Sequence, residues 1–300
     1  MTRNQTRAGL EQIQIHDAFS FRYGNLVAAY LTSPVGPAGV DLGPATAAGA
    51  VEFKELDTPL PFAVRARNPD TSIPRLLTAG TLLRGGVQNR IVARSVVIES
   101  KVLDIAVLDV EPVRSLVPKP AFLIASPGPI SLRADVFGVS PVATLQDCHA
   151  ELEVFLTRRK VGSPTEDLFA APDVGPPEEP LLKRSGSRYI VGAVVQGPDF
   201  FLAEWTGIYG IVQSLVRASD LACRQESRAA GVRADPPPSS MFQAFDVLRG
   251  ELLEATPGPA QAGGSEGGFR SDHGSGELFT RGQALAHAVV RGAHGFGAGR

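Results

Sequence analysis

RGGVQNRIVARSVVIESKVLDIAVLDVEP, residues 84–112, decides how the chain is read. Residues 88–98 and 101–111 are dense in β-branched side chains, which suit a pleated surface better than a helix. The connection between them is very short, so the spacing predicts adjacent antiparallel strands turning near Ser100. The pair Gly85-Gly86 lets the backbone turn tightly just before the first strand. Upstream, VEFKEL (51–56) and PFAVRARN (61–68) alternate apolar and polar residues, the period of half-buried strands. YGNLVAAYLTS (23–33) reads as a further strand, residues 34–44 as a loop, and AFLIASPGPISLRADVFG (121–138) as one or two short strands. Residues 1–20 read as a loose polar segment.

Beyond residue 140 the period changes. TLQDCHAELEVFLTRRK (144–160) places Leu145, Cys148, Leu152 and Phe155 on one helical stripe. Residues 206–222 do the same with Ile208, Ile211, Val212, Leu215 and Val216, behind Thr206 as N-cap. Residues 241–255 align Met241, Phe245, Leu248 and Leu252. Strands are expected at 189–196, 200–205, 268–272, 276–281 and 283–291. The expected class is α+β: a mostly antiparallel sheet in the N-terminal half, then a sheet with two or three packing helices. The expected organisation is one domain over 21–292, with sub-lobes 21–140 and 141–292, the longest loop at 170–187, and a flexible tail at 293–300.

Composition bounds the function. With 300 residues, 43% hydrophobic and 20% charged, the chain can build a substantial core. A net charge of −2 argues against a dedicated nucleic-acid binder, and no run approaches the ~18 apolar residues of a membrane span. The first residues lack the apolar core of a secretory signal, so a soluble cytoplasmic protein is expected. Cys148 and Cys223 stand in no metal-like spacing, and no metal site is expected; free thiols suit a reducing compartment.

Three places carry polar side chains where strands begin or end. Gln88 and Arg90 share one face of a strand, with Asn89 on the other. They make either a clamp for a carboxylate or phosphate, or a hairpin with solvated ends. Asp109 and Glu111 continue the apolar face of Leu103, Ile105 and Val107, with Arg114 just beyond. Such carboxylates repel unless an arginine, a shared proton or a metal compensates. They read as an acid–base pair or half a divalent-metal site, or else as a solvated loop paired with Arg114. Arg270 follows two glycines, and His287 sits inside the apolar run ALAHAVV, as a functional histidine or a satisfied core one. No P-loop, nucleophile elbow, dinucleotide-binding fingerprint or kinase signature occurs.

In this order the segments resemble the ARG- and rhodanese-phosphatase-superfamily-associated protein domain, a family found mainly in bacteria. The resemblance rests on Gly80-Thr81-Leu82-Leu83-Arg84-Gly85-Gly86-Val87-Gln88-Asn89-Arg90 and on Ile105 through Arg114, with weaker echoes at Gly162–Thr165, Gly192–Val195, Gly268–Arg270 and Ala286–Ala288. It spans most of residues 20–292. Thr81, Val87, Asp109 and Ser115 stand where the family pattern has an acid, a lysine, a cysteine and a tryptophan, which implies a divergent member. By association the resemblance implies a setting of nucleotide or ADP-ribose metabolism.

Taken together, these places are expected to converge on one site. Gln88, Asn89, Arg90, Arg114 and Arg270 would bind an anionic or nucleotide-like ligand, with Glu111 and His287 as acid–base groups. Arg90 and Glu111 are expected as cross-strand ion partners presenting Gln88 and Arg114 to a common cleft. The competing reading is a non-catalytic structural or interaction module, in which the same residues form a buried polar network. No cofactor is specified, no nucleic-acid or membrane partner is expected, and the oligomeric state is left open.

Overall fold

The computed structural model describes residues 10–37, 41–46, 49–56, 62–70, 72–86, 88–99, 102–110, 122–135, 145–158, 184–185, 187–227, 231–233, 237–255, 267–281 and 284–292. The first ten strands are β1 (Gln14–Tyr23), β2 (Leu26–Ser33), β3 (Gly43–Pro44), β4 (Glu52–Lys54), β5 (Ala63–Arg67), β6 (Arg75–Leu77), β7 (Thr81–Gly85), β8 (Arg90–Val92), β9 (Val96–Ile98) and β10 (Val102–Asp109). Then follow β11 (Phe122–Pro127), helix α1 (Ile130–Asp135), helix α2 (Leu145–Arg158), β12 (Arg184–Ser185), β13 (Arg188–Gln196) and β14 (Phe201–Trp205). Helix α3 (Tyr209–Ser227), β15 (Val232–Arg233), helix α4 (Ser239–Glu254), β16 (Gly267–Arg270), β17 (Gly274–Arg281) and β18 (Ala284–Gly292) complete the α+β fold.

The apolar run of β2 explains the larger sheet. Only Tyr30 among its residues escapes full burial, so the strand must be covered on both faces. It lies inside a nine-stranded sheet of order β15-β1-β2-β13-β14-β18-β17-β16, with β12 paired to β13, and all its pairings are antiparallel. On one face α4 packs Met241, Phe245, Leu248 and Leu252 against Val27, Leu31, Phe201, Trp205 and Val290. On the other, α3 brings Ala222 and Cys223 to Leu26, Ala28, Val195 and Val289, while Val212 and Val216 meet Ile190. The helical stripes expected over 206–222 and 241–255 are buried as their spacing requires, Ile211, Leu215, Leu248 and Leu252 included.

Between β2 and β13 the chain builds a separate closed barrel, β10-β5-β4-β11-β7-β8. Phe53, Val64, Ala66, Leu83, Val92, Ile105, Val107 and Phe122 form its core, while Leu82, Ile91 and Leu108 pack under Leu132 of α1 and Leu152 of α2. A three-stranded sheet, β3-β6-β9, lies beside it and meets α3 through Leu42, Leu76, Val97, Ile208 and Ile211.

Several expectations need correction. The segment expected to be loose over 1–20 is, from Gln14, strand β1, and Leu10, Ile13 and Ile15 enter the core of the large sheet. The division at residue 140 does not follow the sheets: the N-terminal hairpin pairs with β13, and the barrel is inserted between them. The β-branched run 88–99 is two strands. β8 pairs with β10 as expected, but β9 turns away to β6, because Ser95 Oγ accepts the Ala79 N–H at 2.9 Å where the barrel pairing ends. Within 121–138, β11 is followed by the short helix α1 rather than by a second strand. The tail at 293–300 and most of 170–187 lie outside the described residues.

Gly192 gives a test of the packing between β13 and β14. A Cβ there would lie 2.1 Å from the Glu204 carbonyl oxygen, a backbone atom that cannot step aside. Gly192→Ala is expected to cost about 1–3 kcal/mol or more in urea unfolding. Gly250→Ala, on α4 with open space around it, is expected to be neutral or to add up to about 1 kcal/mol.

Candidate functional site

Gln88, Asn89 and Arg90 close the hairpin between β7 and β8, where Leu83 pairs with Arg90. Gly86 has φ +64, and a side chain there would overlap the Phe122 ring and the Glu55 carboxylate. The Asn89 side chain accepts the Gly85 N–H at 2.8 Å, and its carbonyl accepts the Val110 N–H at 3.4 Å. Asn89 thus fastens the turn to both neighbouring strands. Gln88 is buried and Arg90 wholly so. The register of β8 with β10 sets Asp109 directly opposite Arg90, and the two form an ion pair, with Glu55 Oε1 at 3.6 Å from the same guanidinium. That register takes Asp109, not the expected Glu111, as the partner: the pairing is centred one residue earlier than an Arg90–Glu111 pair requires. Glu111 and Arg114 lie outside the described residues.

His287 belongs to a different cluster. On β14, Glu204 pairs with Val289 of β18, so His287 and Arg291, two residues to either side, point to the same face and flank it. Arg133 of α1 descends onto Glu204, with Nη2 2.5 Å from both carboxylate oxygens. Arg291 Nε donates to the Arg133 carbonyl at 3.1 Å. Glu226 of α3 accepts the Ser131 N–H at 2.8 Å. Three charged side chains therefore seat a helix of six residues. His287 Nε2 stands 3.9 Å from Glu204 Oε1, and neither ring nitrogen has a hydrogen-bond partner among the described residues. Burial pushes its pKa down to about 4; Glu204 opposes that shift, while Arg133 and Arg291 add to it.

The predicted residues that the structure describes fall in separate places. Gln88, Asn89 and Arg90 lie in the barrel, His287 in the large sheet, and Arg270 is exposed on its edge strand β16. The clusters around Arg90 and His287 share no residue. Both are buried ion networks, and neither Arg90 nor His287 presents an open clamp. No group of three or more potential metal ligands occurs among the described residues, and no described helix is long and apolar enough to cross a membrane.

Arg133, Glu204 and Arg291 escaped the sequence reading. The signal for Glu204 was legible: FFLAEW puts one carboxylate inside an apolar strand, where it requires a buried cation. Arg133 was hidden because the SLRAD stretch was read as strand.

Arg133 also reaches a cleft of about 440 Å³ where α3 faces β3, β6 and the start of β7. Its polar wall is made of Arg133, Arg217, Gln213, Thr46, Thr78, Thr81 and Ser214, and no acidic residue lines it among the described residues. Leu76, Ile211, Leu215 and Leu221 supply an apolar side. No family model matches the chain, and neither does any curated protein or solved structure.

Two outcomes follow for the buried cluster. With a folded-state pKa near 4 and an ordinary value of 6.5, His287 refuses a proton that the unfolded chain accepts between those pH values. Stability should be unaffected by His287 above about pH 6.5 and fall as pH drops towards 4, by about 3 kcal/mol across the window. Urea unfolding of wild type and His287→Gln at several pH values measures this as the difference between the two proteins. Arg133→Met should cost about 3–5 kcal/mol by stranding Glu204, whereas Arg133→Met with Glu204→Leu should recover most of it.

Proposed function

We propose that the protein binds a small anionic, nucleotide-like ligand in the cleft between α3 and the β3-β6 sheet. The observation that carries this reading is the wall itself: two arginines, one glutamine and four hydroxyl groups, with no carboxylate among the described residues. Arginine forks suit phosphate and carboxylate oxygens. The hydroxyls pair within the wall, Thr46 with Ser214 and Thr78 with Thr81, and give it a polar surface. The apolar side formed by Leu76, Ile211, Leu215 and Leu221 suits a planar base. The volume falls within the range of about 300–1,000 Å³ usual for small-molecule pockets. Arg133 enters the wall already paired with Glu204, so Arg217, exposed on α3 and with no ion-pair partner among the described residues, supplies the free charge.

In this reading Gln88, Asn89, Arg90 and His287 are structural, which follows the second of the two sequence hypotheses. Their burial supports it, as do the Arg90–Asp109 ion pair and the Glu204 carboxylate beside His287. The resemblance to the ARG- and rhodanese-phosphatase-superfamily-associated domain supports a ligand of the phosphate or ADP-ribose type. We assign no reaction, since among the described residues no carboxylate, histidine or cysteine lines the cleft to move a proton or attack a bond.

Thermal shift and calorimetry with ADP-ribose, ADP and inorganic phosphate test the proposal. At least one of the nucleotides should raise the melting temperature in a concentration-dependent way. Arg217→Ala should weaken binding at least tenfold, as loss of a charge-assisted hydrogen bond of about 1.5–3 kcal/mol implies, while leaving the melting temperature of the free protein unchanged. Absence of binding by all three probes, or undiminished binding to Arg217→Ala, overturns the reading.

A further inference from the structure

A second pocket, of about 270 Å³, lies between the opposite side of α3 and the β1-β2 end of the large sheet. Its apolar wall comes from Phe21 and Tyr30, whose rings are 5.8 Å apart and tilted by 56°, together with Val216 and Ala28. Strand β15 closes its edge, with Gly231 so near the Tyr23 ring that a side chain there would overlap it. One end of the pocket is polar. Tyr23 donates its hydroxyl to Asp220 Oδ1 at 2.5 Å, and Arg224 Nε stands 3.0 Å from Asp220 Oδ2. Tyr23 and Arg224 are both buried. Burial and the neighbouring Asp220 carboxylate both raise the Tyr23 pKa, so its hydroxyl remains a donor at neutral pH.

We propose that this pocket holds a free α-amino acid with an aromatic or branched aliphatic side chain, its ammonium group on Asp220 and its carboxylate on Arg224. The charges select for both groups at once. Arg233, the other charged residue lining the pocket, is exposed and lies over the Phe19 ring, where solvent screens it. At the buried end Asp220 and Arg224 neutralise each other, so a ligand bearing only a carboxylate would set two anions around one buried guanidinium. A ligand bearing only an ammonium group would set two cations around one carboxylate. In a pocket with low-dielectric walls either imbalance is costly, whereas a zwitterion preserves neutrality and pairs every charge. Among the described residues Arg224 is tied to Asp220 alone, which leaves the terminal nitrogens of its guanidinium to face a carboxylate. The carboxylate of Asp220 has acceptor capacity beyond the Tyr23 hydroxyl and Arg224. The side chain of the ligand would lie against Phe21, Tyr30 and Val216. The volume is slightly below the usual lower bound for drug-sized ligands, which fits a molecule of amino-acid size.

Calorimetry on the wild-type protein decides the matter without any variant. The probes are L-phenylalanine, L-leucine, 3-phenylpropionate and phenethylamine. At least one amino acid should bind, and at least tenfold more tightly than both single-charge analogues. A preference below tenfold, or no heat from either amino acid at concentrations up to about 10 mM, overturns the proposal. Arg224→Gln should weaken amino-acid binding at least tenfold in protein that retains its wild-type circular dichroism. Arg217→Ala should leave it unchanged, which separates this pocket from the anion cleft on the other side of the helix.

Discussion

The contact between Arg133 and Glu204 holds the two parts of the molecule in register. Glu204 sits in the middle of the large sheet, and Arg133 projects from a helix only six residues long. Such a helix has almost no stability of its own, because its few hydrogen bonds barely offset the cost of nucleation. Yet α1 is packed on both sides. Leu132 enters the outer core of the barrel, Ile130 and Ala134 enter the core of the sheet, and Gly128 hydrogen-bonds Gly80 at the start of β7. The ion pair is the fixed point around which those apolar contacts are arranged. It is buried on both sides, so a shift of α1 by even one residue would leave a carboxylate and a guanidinium unpaired in the interior.

The barrel repeats the same device on a smaller scale. Arg90 lies between Asp109 and Glu55, which sit on and just beyond two different strands, and Asn89 binds the adjacent backbone on either side. A six-stranded barrel with such short strands has few ladder bonds to define its register. A charged side chain that can be satisfied in one alignment only supplies what the ladder lacks.

The sequence disclosed local elements well and their partners poorly. Helical stripes such as Ile211–Leu215 and Leu248–Leu252 are set by a period of 3.6 and needed no tertiary information. The alternation in VEFKEL and PFAVRARN likewise marked strands that exist. The break between β8 and β9 was not legible, because Val92 and Val96 belong to one β-branched run that is divided by long-range contacts, the ladder of β9 with β6 and the Ala79–Ser95 bond. Closure of the barrel is equally non-local, since β4 and β11 meet across a wide sequence gap. For the polar residues, type was easier to read than partner. Arg90 and His287 were recognised as buried or constrained groups, but the carboxylates that answer them are fixed by register, and an error of one residue in the turn centre exchanges Asp109 for Glu111.

The insertion of the barrel between β2 and β13 orders events during synthesis. The β1-β2 hairpin leaves the ribosome early, yet its central neighbour is made roughly 150 residues later, a delay on the order of 10 s at ordinary elongation rates. Throughout that interval β2 carries an apolar surface on both faces and an unpaired edge, while the barrel's strands and the α1 and α2 residues that cover it are all made. The nascent chain thus carries an exposed strand until β13 is made, the kind of surface that chaperones bind. Synthesis of β13 ends that exposure, and β14 to β18 then complete a sheet whose first strands were made before the whole barrel.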